Sequence, residues 1–181
     1  MSGVSEQPGR YQRSTSGLIG ALIVTLLAIG AFVAFRALNR EELEIEPEPI
    51  DYLAAVEQLQ AAGSRPVHPP RLPEGWIATS IDVVPGERDS WGLGVLTDEG
   101  DFVGIRQADA SAESLAEEYV DAEAAEGDAL TLDSPVAREW QSWSDEGGDT
   151  GYTATVGRQS VLVYGSAPAA EIEAYVTSLT R

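Results

Sequence analysis

Two predicted turns hold clustered acidic side chains: Asp98, Glu99 and Asp101 in TDEGD, and Asp145, Glu146 and Asp149 around Gly147 and Gly148. Clustered carboxylate oxygens are what hard cations such as calcium take as ligands. A pair of carboxylates with one member buried beside a cleft is the equipment of a glycosidase. Neither turn has the Asp/Asn spacing and terminal Glu of an EF-hand, and nothing in the spacing marks one carboxylate as buried. Both sets therefore read as solvated turn acids, and no metal, cofactor or catalytic residue is expected. The chain has a single histidine, His68, with no cysteine and no lysine. That removes disulfides, thiolate metal sites, a cysteine nucleophile, an acylated lipobox, a Walker loop and a Ser/Lys dyad. His68 lies within a run of prolines, where a surface side chain is expected rather than a general base.

The aromatic residues suggest binding instead. Trp140 and Trp143 are separated by an odd number of positions on one predicted strand, so they point to opposite faces. One is expected in the core and the other at least partly exposed. Together with Tyr152 and His68 they form the candidate surface for a protein partner or a sugar.

The elements that position these side chains begin with an apolar run. Leu18 to Phe35 is 18 residues without a charge, roughly 27 Å as a helix at ~1.5 Å per residue. A transmembrane helix over residues 17–38 is expected, left uncleaved because the small-x-small sequence Ala28-Ile29-Gly30 lies inside the run instead of after it. A short cytoplasmic head (residues 1–16) precedes it, and the acidic, proline-containing stalk (residues 39–49) follows. The large domain beyond is expected outside the cytoplasm at the cell membrane, since long domains translocate largely regardless of charge. Gly17, Ala21 and Thr25 recur every fourth residue, a small-residue face through which the helix could form a homodimer.

Residues 50–63 form a short predicted helix with Ile50, Leu53, Val56 and Leu59 on its apolar stripe and Gly63 as its stop. Residues 64–181 form the α+β domain. SRPVHPPRLPEGW places four prolines in eight residues, which enforces an extended, surface-lying path. Alternation then predicts a strand from Ile77 to Val83 that ends at Pro85-Gly86, and a hairpin built from Trp91–Val95 and Phe102–Gln107. Gly92 and Gly94 on one strand face make room for something large, with Trp76 or Trp140 of the core expected there ahead of a ligand. A helix follows to about Glu126, with Asp109, Ser111 and Ser114 as N-cap candidates, Ser114 and Glu117 as a capping box and Gly127 as its stop. Strands are predicted at Ala129–Leu132, Val136–Trp143 and Tyr152–Val156; Gly157-Arg158 turns the chain into Ser160–Gly165. The last helix begins near Pro168 and carries Ile172, Tyr175, Val176 and Leu179. The fold expected is an antiparallel sheet of about six or seven strands with two covering helices, arranged as β-β-α repeats.

From Glu41 onward there are 29 acidic residues against 7 arginines, a net of −22 compared with −19 for the whole chain. A field of that sign repels phosphate backbones, so nucleic acid is not an expected partner.

The basic head, single span, acidic stalk, RPVHPPRLPEGW, the hairpin around WGLGVL and the closing GYTATVGRQSVLVYG with its helix resemble an actinobacterial family of single-pass membrane proteins of unknown function (domain of unknown function 4245). The Pro-x-Gly-Trp start of a curved sheet bears a weaker likeness to modules of the PsbP/Mog1 type, which implies binding or assembly. The expected function is a non-enzymatic binding or accessory module of the cell envelope, with an envelope protein or cell-wall polymer as partner. The alternatives are a regulatory or signalling subunit that pairs through its membrane helix and, less favoured, a carboxylate enzyme or calcium module.

Overall fold

Alternation of apolar with small or polar residues builds one seven-stranded antiparallel sheet. The computed structural model describes residues 15–38, 48–84 and 90–181. They fall into two units, Met1–Glu46 and Pro47–Arg181. In the second unit, β1 (Ile77–Val84), β2 (Ser90–Leu96) and β3 (Phe102–Ala108) form one meander. A second consists of β4 (Ala125–Thr131), β5 (Glu139–Ser144), β6 (Thr150–Val156) and β7 (Gln159–Gly165). Central pairing of β3 with β7 gives the order β1-β2-β3-β7-β6-β5-β4. Each meander leads into a helix, α3 (Ala112–Tyr119) or α4 (Ala169–Ser178). The repeat is thus three strands and a helix followed by four strands and a helix, not two β-β-α units.

The helices cover opposite faces, as the side-chain parity of β7 shows. Val161 and Val163 join Tyr52 and Val56 of α2 (Tyr52–Ala61) and Ile172, Tyr175 and Val176 of α4 in the main core. Leu162 and Tyr164 pack with Leu115, Tyr119 and Val120 on the α3 side. The inward stripe of α2 is Tyr52, Ala55, Val56 and Leu59, while Ile50 and Leu53 are exposed. The expected stripe was therefore offset, because Tyr52 opens an i, i+3, i+4, i+7 series that Ile50 does not share. Asp51 caps α2, its carboxylate accepting from Ala54 N at 3.2 Å. The stop at Gly63 has the positive φ of +92° that a cap glycine adopts.

α3 is shorter than expected. Ser111 is its N-cap, with Oγ accepting from Ser114 N at 3.0 Å, so the box predicted from Ser114 and Glu117 is displaced by one turn. Asp121 then folds the chain back, its carboxylate accepting from Glu123 N at 2.7 Å. Residues expected to continue the helix instead pair with β5, and Gly127 lies within β4. Local carboxylate bonding and ladder formation outweigh the modest helix propensity of an Ala/Glu run. The Gly157-Arg158 turn and α4 starting after Pro168 agree with expectation.

Gly92 and Gly94 face away from Trp140. The space over Gly92 is filled by the Arg106 side chain, and that over Gly94 by Ser80 and the Phe102 ring. Trp91, Leu93 and Val95, at the alternate positions of β2, turn to the main core instead.

In the first unit, α1 is a helix from Thr15 to Leu38 of 24 residues. Among the described residues no helix is long and apolar enough to cross a membrane. Side chains of α1 are described without a break only from Leu22 to Phe32, about 16 Å of helix at ~1.5 Å per residue. The transmembrane helix expected over residues 17–38 is not borne out by this description. Gly17 and Ala21 of the expected dimer face have side chains outside the described residues, as do most of the head and stalk.

Gly104 illustrates how tightly the α3 side is filled: a Cβ there would lie 2.6 Å from Cε1 of Tyr164. Gly104→Ala is expected to lower stability by about 1–3 kcal/mol in urea unfolding; a change within error would show that Tyr164 can move aside.

Candidate functional site

Four prolines leave Ser64–Trp76 short of backbone donors, and the segment forms no strand, yet its residues 66–69 are buried. Its polar groups must therefore be satisfied by other elements. Gln107 on β3 meets two of them. Its Oε1 accepts from Val67 N at 2.7 Å, and its Nε2 donates to Arg65 O at 3.2 Å and to Gln159 Oε1 at 2.7 Å. Trp91 Nε1 donates to Val67 O at 2.9 Å, and the Tyr52 hydroxyl donates to Pro69 O at 2.9 Å. His68 exchanges two main-chain bonds with Thr180, at 3.0 and 2.8 Å. The segment is thus a strap tied to α2, β2, β3 and the C-terminal residues.

Between this strap, the C-terminal end of α2 and the ends of β1 and β2 lies a cavity of about 260 Å³. Leu59, Pro66, Trp91, Val83 and Val84 make it largely apolar, while Gln107 and Ser90 add polar atoms. Both hydrogens of the Gln107 amide are already engaged, one by Arg65 O of the strap and one by Gln159 Oε1 of β7. Val83 and Val84 are 42% and 57% exposed. The site is thus equipped to bind an apolar group through contact area and to hold it with few hydrogen bonds.

The four residues singled out from sequence do not form a surface. Trp140 is buried, its Nε1 donating to Ala137 O at 2.9 Å. Trp143, only 6% exposed, donates from Nε1 to Thr153 Oγ1 at 2.8 Å. Their opposite orientations are as expected, but the exposure expected of one of them is corrected, because both faces of this sheet are interior. Tyr152 is buried beside Trp140 in the main core, and its hydroxyl donates to Glu173 Oε1 at 2.9 Å. Burial, followed by that bond, pushes its phenol well above the ordinary tyrosine range. His68 is buried in the strap, where Nδ1 lies 2.9 Å from Pro66 O; a carbonyl can only accept, so Nδ1 carries the proton. Its expected place at the surface is likewise corrected.

Sequence reasoning missed the cavity. The available signal was Val83-Val84, two adjacent β-branched residues at the end of an alternating strand, one of which must turn away from the main core.

The acidic turns are internally organised. Asp145 Oδ1 accepts from Gly148 N at 2.6 Å and from Asp149 N at 2.7 Å. Among the described residues, no group of histidine and carboxylate side chains is placed to hold a metal ion. On the other face, Arg106 pairs with Asp82 at 2.6 Å and lies 4.6 Å from the centre of the Tyr119 ring.

Two measurements check these assignments. Gln107→Leu leaves Val67 N and Arg65 O unpaired and is expected to cost about 2–3 kcal/mol of unfolding free energy, against about 1 kcal/mol for Tyr52→Phe; equal small losses would mean the strap is not held by Gln107. Burial, and secondarily Asp145, raise the carboxyl pKa of Asp149. The folded chain therefore binds this proton more tightly than the unfolded chain, so the site costs stability above the unfolded value of about 3.9, and the cost fades as pH falls through that region. Asp149→Asn should raise Tm at neutral pH and leave it unchanged in strong acid; a gain of equal size at both would contradict this.

No curated protein and no solved structure matches the chain significantly. The family described as protein of unknown function (DUF4245) matches residues 10–179, nearly the whole length, and the chain belongs to that family.

Proposed function

We propose that this chain is a membrane-tethered, extracytoplasmic binding or accessory module of the cell envelope, without enzymatic activity, that receives an apolar group of an envelope protein. The cavity walled by the strap carries this reading, because it joins apolar side chains to exposed Val83 and Val84 at one end of the sheet. Tethering is supported by the 18 uncharged residues from Leu18 to Phe35. The acidity of the remainder favours a neutral or basic partner over an anionic polymer. The resemblance to that family is consistent with a single-pass, actinobacterial setting, which belongs to this proposal.

A photo-crosslinking residue in place of Val84, in the full-length protein in intact cells, tests the site. One predominant adduct is expected, retained when α1 is exchanged for an unrelated apolar helix and lost when Ala62→Phe fills the cavity mouth. An adduct pattern identical to that from position 126 on β4, or one unaffected by Ala62→Phe, would refute the reading. Protease added to intact cells with a permeable outer layer should digest the domain; full protection would refute its placement outside the cytoplasm.

A further inference from the structure

The sheet has two edges, β1 and β4, and they are built differently. β4 carries Glu126 and Asp128, has an irregular register between Glu126 and Ala129, and runs beside Glu139 of β5. Charges and broken register are the usual means by which an edge strand avoids further pairing. Along Ser80–Val84, β1 has an unbroken register and a single charge. Its one charge there, Asp82, is neutralised by Arg106 at 2.6 Å, and its ladder with β2 is regular over these residues. The one irregularity lies further back, between Ala78 and Ser80. There, Ala78 O accepts from Ile50 N at 2.9 Å, and among the described residues no main-chain group is bonded to β1 from that side beyond this point. The open stretch ends at Val83 and Val84, which line the cavity.

An open ladder that runs into an apolar cavity is the arrangement by which sheets take up extended peptides: main-chain bonds supply affinity, and a pocket for a side chain supplies selectivity. We propose that β1 accepts an extended segment of a partner protein as an eighth strand along Ser80–Val84, seating one apolar side chain in the cavity. This rests on the cavity being the binding site proposed above. The segment is apolar at its centre and basic at its flanks. A second copy of this chain fits poorly, because it would bring up another stretch with 29 acidic residues against 7 arginines from Glu41 onward.

The probe is the peptide Arg-Thr-Val-Leu-Val-Thr-Arg and a twin N-methylated at its three central residues, titrated into the full-length protein. N-methylation keeps the side chains but removes the ladder donors on both sides. The parent peptide should bind, more weakly as salt is raised, and should slow amide exchange within Ser80–Val84. The twin should bind at least about tenfold more weakly. Equal binding of the two peptides, abolished for both by Ala62→Phe, would overturn strand addition and leave the cavity reading standing. No binding of the parent peptide at millimolar concentration, or binding unaffected by Ala62→Phe, would overturn both.

Discussion

Buried main-chain groups that cannot join a ladder must find partners elsewhere, and in this protein that requirement falls on the proline-rich strap. Val67 is fully buried, yet its N–H and C=O have no strand to pair with; Gln107 and Trp91 receive them, at 2.7 and 2.9 Å. Those two side chains stand on β3 and β2, whose register is set by their own hairpin. The strap thereby inherits its position from the sheet, and Tyr52 and Thr180 carry the same position to α2 and to the residues after α4. The cavity is a by-product of this arrangement: Pro66 and Trp91 become its walls because the main chain between them is tied down.

The other face of the sheet solves a different packing problem. Glycines at 92, 94 and 104 leave hollows into which Arg106, Phe102 and Tyr164 lie flat. Phe102 and Tyr119 each meet the Tyr164 ring at centroid distances of 5.7 and 5.6 Å, and Arg106 sits over Tyr119. Arg106 thus joins an aromatic layer under α3 to Asp82 on the edge strand. That pairing offsets the one charge on β1 along Ser80–Val84, so packing on one face bears on what the edge can accept.

What could be read in the sequence was what has a local cause. The β2–β3 and β6–β7 hairpins follow from alternation and turn glycines, and Gly157 has the positive φ, +69°, that its turn demands. The start of α4 follows from Pro168 and from the spacing of Ile172, Tyr175 and Val176. The end of α3 could not be read, because the residues after it have acceptable helix propensity and were claimed by pairing with β5, a choice made across the sheet. The opposed directions of Trp140 and Trp143 were legible from spacing. Their burial was not, since it depends on both faces of the sheet being covered. Gln107 is 40 residues from Val67, and no local pattern distinguishes it from any other strand glutamine. The candidate site was therefore legible only in its pieces, the proline run and the paired valines.

The bonds to Gln107, Trp91 and Thr180 should hold the strap as firmly as the core it crosses. Native-state hydrogen exchange of the Val67 and His68 amides tests this most directly. If Gln107 and Thr180 hold them as described, both amides should exchange only through global unfolding, with the same denaturant dependence as the amides of β3 and β7. Exchange at the rate of the exposed Asp98–Gly100 turn would show that the strap opens independently, and the cavity it walls would then lose its claim to be a preformed site.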